Sequence, residues 1–266
     1  RSTLSSSSAA SDVYKRQGIS VAHNGNFTNA LKLRDKLVKD GAIFRTTSDT
    51  ETVVQLIAKS KRAKMVDKIK AFPWPVYKIK LGTSDDLKVI QCLRKITNAV
   101  FRVDANCAWT PTQTIEYTKS FKSLGVEFIE QPLAAGDWEG MVEVYKYTTL
   151  PIIADESCVE MIDVMRCKGH FHGVNIKLMK CGGLLMARKM ITQAKSLGLK
   201  VMVGCMTESS VGISAVSQLL PMLDYVDMDG PLLIRDDIAS GPSYHYGKVI
   251  ISDENGTGVK IHTPWM

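Results

Sequence analysis

The feature that most constrains this chain is a repeat. From residue 76 onward, short β-rich runs alternate with amphipathic stretches of helix length. The runs are VYKIK (76–80), VFRVD (100–104), VEFIE (126–130), LPIIAD (150–155), GVNIK (173–177), KVMVG (200–204) and YVDMD (225–229). Helical patterns fill 85–96, 112–124, 160–167, 184–197 and 209–220. Alternating β and α with apolar strands indicates a parallel sheet covered by helices. The first five runs close on polar residues at 80, 104, 130, 155 and 177, steps of 24, 26, 25 and 22 residues. About 25 residues per unit suits a (β/α)8 barrel, whose sites lie at the C-terminal strand ends. A doubly wound sheet would carry a Gly-rich phosphate turn, and Gly182-Gly183 lacks that spacing. Seven strands are visible where a barrel needs eight. The expected fold is therefore α/β: an incomplete (β/α)8 TIM-type barrel of about seven βα units. Two short strands at 247–251 and 258–261, around DENGTG (253–258), are expected to pair outside it.

The first 70 residues differ in character. Residues 1–17, RSTLSSSSAASDVYKRQ, have no apolar periodicity and read as a disordered or non-native leader. Residues 18–70 read as a short α+β fragment unrelated to the repeat: an apolar run, the turn-rich HNGN (23–26), and helical faces at Leu31, Leu33, Leu37 and at Val53, Val54, Ile57. FPWP (72–75) breaks any helix and marks a boundary, so 71–266 form the barrel and C-terminal segment. Through residue 70 there are 14 Lys/Arg against 6 Asp/Glu, and the remainder holds 20 against 21. The net charge of +7 thus belongs to the head, and no basic stripe with interleaved aromatics suggests nucleic acid. No run approaches the roughly 18–20 apolar residues of a membrane span. Six cysteines without a CxxC pair fit a reducing, cytoplasmic setting better than a disulfide scaffold or zinc ribbon.

Aligned by their strands, the tips read KIK, VDAN, IEQP, ADES and NIKL. Asp104, Glu130 and Asp155 arrive at one mouth from three successive strands. Clustered carboxylates repel unless a cation holds them, and an all-oxygen set suits Mg²⁺. Asn106 could orient this shell. Lys80 and Lys177 flank it as a pair of acid/base groups, and Lys78, on the same strand face as Lys80, is expected to lower its neighbour's pKa. Two bases opposed across a bound carboxylate can remove a proton from one face and return it to the other, through an enediolate. Asp227 and Asp229 share a strand face. His170 and His172 precede a strand, at the end of a barrel that serves stability. Met186 and Met190 read as core filler, and Cys107 has no paired histidine to make it a nucleophile.

With these motifs, residues 76–262 resemble the enolase superfamily in its muconate-cycloisomerase-like branch, and within it the L-Ala-D/L-Glu dipeptide epimerases. The resemblance implies Asp104, Glu130 and Asp155 as Mg²⁺ ligands and Lys80 and Lys177 as the acid/base pair. Glu156 and Asn106 would support the ligands, with Lys78 beside them. It further implies that Asp227 and Asp229 bind the free α-ammonium of the dipeptide, and GCMTESSVGISA (204–215) resembles the same enzymes. The implied activity is 1,1-proton transfer at the α-carbon of the C-terminal residue, an isomerase role in peptidoglycan peptide metabolism. Its partner is a small dipeptide, with self-association through the barrel left open. A cycloisomerase or other lyase of the superfamily is the alternative, as is a non-catalytic fusion or assembly artefact.

Residues 18–69 resemble an internal piece of the glutaminase domain of amidophosphoribosyltransferase, in which Asn24 and Gly25 would form an oxyanion hole and Asp49 would bind the glutamine amino group. No cysteine precedes Cys92, so the nucleophile is missing and no glutaminase activity is expected. The chain thus reads as a chimera whose barrel lacks its first strand and the capping domain that closes over substrate in that superfamily. An open barrel admits water to its mouth and exposes strand edges, which weighs against turnover by this chain alone.

Overall fold

The computed structural model describes residues 12–16, 19–23, 69–70, 73–234, 236–245 and 247–262. The chain divides into two compact units, 1–72 and 73–266. In the first, β1 (Asp12–Arg16) and β2 (Ile19–His23) pair antiparallel, Asp12 opposite His23, so one hairpin spans the boundary expected at residue 17. Asn24, Gly25 and Asp49 and the helical faces of the head lie outside the described residues.

The second unit is the repeat. Seven parallel strands stand in chain order: β3 (Val76–Lys80), β4 (Val100–Asp104), β5 (Val126–Glu130), β6 (Ile152–Ala154), β7 (Gly173–Ile176), β8 (Lys200–Val203) and β9 (Tyr225–Val226). Between them lie α1 (Asp86–Arg94), α2 (Pro111–Ser123), α3 (Trp138–Tyr147), α4 (Met161–Cys167), α5 (Leu178–Cys181), α6 (Leu184–Ser196) and α7 (Ser210–Ser217). Local chemistry sets the boundaries. Thr110 and Gln113 close a capping box on α2, with Pro111 in its first turn. Buried Asp86 opens α1 by accepting from the Gly82 and Thr83 amides, and it also receives the Trp109 indole at 2.8 Å.

The sheet is curled. Arg102 on β4 reaches the carbonyl of Val226 at 3.5 Å and lies over the Tyr225 ring, so the last strand faces the interior side of the early ones. Ile79, Val103, Ile129, Ile152, Val174, Ile176, Val201 and Val203 alternate with the inward-facing positions and are buried. Inside, Phe128, Ile153 and Met202 pack together with Tyr225. These residues form a floor, and Glu130, Asp155 and Asp227 stand two residues further along from Phe128, Ile153 and Tyr225. This is the incomplete TIM-type barrel expected from the repeat.

One irregularity matters for everything above that floor. Phe101 is level with Val126, but Arg102 is level with Phe128, leaving Glu127 as an extra residue on β5. Beyond this bulge Asp104 is level with Glu130, and Lys80 with Asp104. Without it Ile129 would stand opposite Asp104 and Glu130 would turn toward the helices. The Glu127 carboxylate accepts from Arg102 Nε at 2.7 Å.

The C-terminal segment forms two antiparallel strand pairs outside the barrel sheet, one a hairpin and the other enclosing it in sequence. The strands Lys248–Ile250 and Lys260–Ile261 pair with Ser243–His245 and Ala239–Ser240, two short partners that the sequence pattern does not reveal. Tyr244 donates to the Met228 carbonyl at 2.7 Å, tying this segment to the DMD tip of the last strand.

The histidine pair is structural. His170 meets the Trp138 ring edge-on, while His172 stacks on Tyr145 and its Nδ1 accepts from the Ile152 amide at 3.2 Å. Burial holds the His172 pKa below 6.5. Its neutral form is therefore the native one, and the unfolded chain takes up the proton first as pH falls. The stability advantage of wild type over His172→Phe should be fully present above pH 6.5 and shrink progressively below it, as read by urea midpoints across that range.

Candidate active site

Strand tips and the turns after them gather the charged residues at the C-terminal rim. Asp104 and Glu130 are fully buried and Asp155 is 1% exposed. Lys78 joins three carboxylates: its Nζ lies 2.9 Å from Glu130 Oε2, 3.1 Å from Asp227 Oδ2 and 3.4 Å from Asp104 Oδ2. Lys80 Nζ meets Asp104 Oδ2 at 2.5 Å, and Lys177 Nζ meets Asp155 Oδ2 at the same distance. The two lysines therefore stand on different members of one carboxylate row, from β3 and from the end of β7. The backbone amide of Asn106 donates to Asp104 Oδ1 at 3.0 Å.

The electrostatics follow from burial. Glu130 is pushed up to about 7 by desolvation, with Asp104 and Asp155 adding to the rise and Lys78 opposing it. Against the desolvation of its own ammonium, Lys78 is held well above the usual lysine range by Glu130, Asp227 and Asp104. Asp155, despite burial, is held low by Lys177 and Lys180, and Lys177 is correspondingly raised, burial notwithstanding, by Asp155. Strand alternation places Lys78 and Lys80 together on the carboxylate side, where the Lys78 ammonium is engaged by three anions and its charge also opposes the rise of Lys177.

The DMD tip forms a second group. Asp227 and Asp229 converge with Cys205, their ligand atoms all within 4.8 Å of one another. Asp227 is held low, against burial, by Lys78, whereas burial and the charge of Asp227 raise Asp229 to about 6. Glu156 lies beside Asp155 with Oε2 buried, and burial together with Asp155 and Asp104 raises its carboxyl. Burial and Glu156 push the Cys107 thiol up to about 12, which suits a spectator rather than a nucleophile.

Two contributors escaped the sequence reading. Asn175 donates to Glu130 Oε1 at 2.8 Å, and it sits two residues before Lys177, so strand alternation alone could have placed it. Gly204 leaves room for it, since a Cβ there would lie 2.7 Å from the Asn175 amide nitrogen. Lys180, 2.7 Å from Asp155 Oδ1, comes from the one-turn helix α5, which the β-run hid. The donor set fits a hard divalent cation: three buried carboxylates from adjacent strands, no soft ligand among them, and a carboxyl at about 7 that a cation would help to ionise.

A curled parallel βα sheet with carboxylates and lysines interleaved at one rim defines the class, and residues 58–265 match the family described as Enolase C-terminal domain-like. The chain belongs to that family. Among its relatives, the L-Ala-D/L-amino acid epimerase of Flavobacterium johnsoniae is 59% identical over 198 residues, covering 74% of this chain and 59% of that protein. The substrate-liganded L-Ala-D/L-Glu epimerase of Bacillus subtilis superposes with a TM-score of 0.69 at 28% identity, covering 77% of this chain and 59% of that one. The dipeptide epimerase of Enterococcus faecalis, complexed with Mg and the dipeptide L-Leu-L-Tyr, gives 0.68 at 30% identity, covering 74% and 58%. The chain therefore spans about three-fifths of the length of these proteins. Residues 4–72 match a glutamine amidotransferase domain. Among the described residues, no helix is long and apolar enough to cross a membrane.

Removing Lys78 tests the charge balance. Lys78→Met should cost about 3–5 kcal/mol by leaving buried carboxylates unpaired. Glu130 can escape the penalty by taking a proton, so the loss should be smaller at pH 6 than at pH 8, measured by urea denaturation without divalent ions.

Proposed function

We propose that this chain carries the catalytic barrel of a Mg²⁺-dependent dipeptide epimerase, acting by 1,1-proton transfer on L-Ala-D/L-Glu-like dipeptides. The observation that carries the reading is the placement of two lysine ammonium groups, Lys80 and Lys177, on separate members of a buried carboxylate row. Asp104, Glu130 and Asp155 would hold the ion. Bound there, Mg²⁺ would supply positive charge to the substrate carboxylate as the enediolate develops.

The residues of the chain do the rest. One lysine in its neutral form takes the α-proton of the C-terminal residue, and the other, as ammonium, delivers a proton to the opposite face. A lysine released from its carboxylate partner loses the interaction that holds its proton, which brings it toward the range a base needs. Asp227 and Asp229 are assigned to the dipeptide's free α-ammonium. Asp227 already accepts a primary ammonium, that of Lys78, at 3.1 Å. Asn106, Glu156 and Lys78 support the row. The names of the F. johnsoniae and B. subtilis relatives favour a dipeptide with N-terminal alanine, and six free thiols suit a cytoplasmic setting.

The direct test follows epimerisation of L-Ala-L-Glu to L-Ala-D-Glu in D₂O with Mg²⁺ by NMR. Epimerisation should fall by about 10²–10⁴-fold in both Lys80→Ala and Lys177→Ala, while the lysine that remains can still exchange the α-proton of the one enantiomer it faces. Undiminished epimerisation in either variant would sink the two-base mechanism. Activity that survives the double change Asp227→Asn, Asp229→Asn would move the substrate away from dipeptides, toward a cycloisomerase or lyase.

A further inference from the structure

All three residues outside glycine that hold a positive φ among the described residues lie beside the carboxylate row: Asn106 (45°) and Cys107 (63°) after Asp104, and Gln131 (36°) after Glu130. Such backbone is costly for a side-chain-bearing residue and persists only where its surroundings over-determine it. At Gln131 they do. The residue is fully buried, and each of its polar groups is bonded. Its amide donates to the Ile153 carbonyl at 2.9 Å, and its own carbonyl accepts from the Cys107 amide at 2.8 Å. Its Oε1 accepts from the backbone amides of Asp155 at 2.9 Å and Ser157 at 3.1 Å. Its Nε2 donates to the Leu133 carbonyl at 2.9 Å and to Ser157 Oγ at 2.8 Å.

These bonds join three strand ends, those that carry Asp104, Glu130 and Asp155. Through Cys107 the residue holds the turn after Asp104. Its own backbone follows Glu130, and its side chain holds the backbone of Asp155. Burial is the reason one side chain can do this: in the interior a satisfied polar group is fixed tightly because any displacement leaves a donor or acceptor unpaired.

We propose that Gln131 is a positioning residue that fixes the relative placement of the three carboxylates and thereby sets their affinity for a divalent cation. The inference rests on the metal-site reading above. Gln131 touches no reacting atom and acts through the three acids.

The test measures Mg²⁺ affinity of the full chain by isothermal titration calorimetry, alongside circular dichroism and urea midpoints. Gln131→Met keeps the volume and removes every polar bond of the side chain. It should weaken Mg²⁺ binding by about 10–100-fold in protein whose far- and near-ultraviolet dichroism match wild type. Gln131→Asn keeps both the acceptor and the donor of the amide without adding charge and should weaken binding less than Gln131→Met. Should Gln131→Met fail to fold, Ser157→Ala carries the test by deleting one acceptor of Nε2, with an expected loss of about threefold. A residue that merely supports the fold would lower the urea midpoint and leave the affinity of the folded protein unchanged, and that result overturns the proposal. No Mg²⁺ binding by wild type would instead overturn the metal site itself, and this inference with it.

Discussion

Three carboxylates held in one dry rim are the constraint on which the rest of this molecule depends. Like charges gathered where water is largely excluded repel far more strongly than they would in bulk solvent. Burial adds a desolvation cost that Glu130 shows directly in its pKa of about 7. Lys78, Lys80, Lys177 and Lys180 offset the charge, each meeting an oxygen of the row. The contacts that balance the charge of the rim are the same ones that the proposed proton transfer would draw on. Stability and chemistry are thus two uses of one set of contacts.

Much of this was legible because a parallel barrel writes its geometry into spacing. The residues closing β3 to β7 recur at near-regular steps, and each closing side chain must face one rim. Hence Lys80, Asp104, Glu130, Asp155 and Lys177 could be named from the pattern. What the pattern hid has physical reasons. Asn175 looks like strand filler until its Glu130 partner is seen. Lys180 depends on a single turn of helix, too short to leave a periodicity. Gln131 reads as an ordinary turn residue, because neither a positive φ nor a buried ring of hydrogen bonds has a one-letter signature. The three anions that engage Lys78 were hidden for a related reason: charge partners on other strands cannot be counted from neighbours in sequence.

Two family matches divide the chain between them. Matches to a glutamine amidotransferase domain and to the enolase C-terminal family overlap only across 58–72, close to where the compact units divide at Phe72 and Pro73. The barrel unit has its own floor, its own helical cover and both halves of the charged rim, so the chemistry proposed for it draws on no residue before Val76.

The bulge at Glu127 has a consequence for how such a rim can evolve. A parallel strand offers its side chains in strict alternation, so a functional acid can move between faces only through an odd insertion or deletion, never by gradual drift. The extra residue on β5, secured by Arg102, acts as a parity bit. Its loss would leave every residue type of the IEQP motif unchanged in the sequence while turning the carboxylate out of the cavity, a null allele invisible to any motif count.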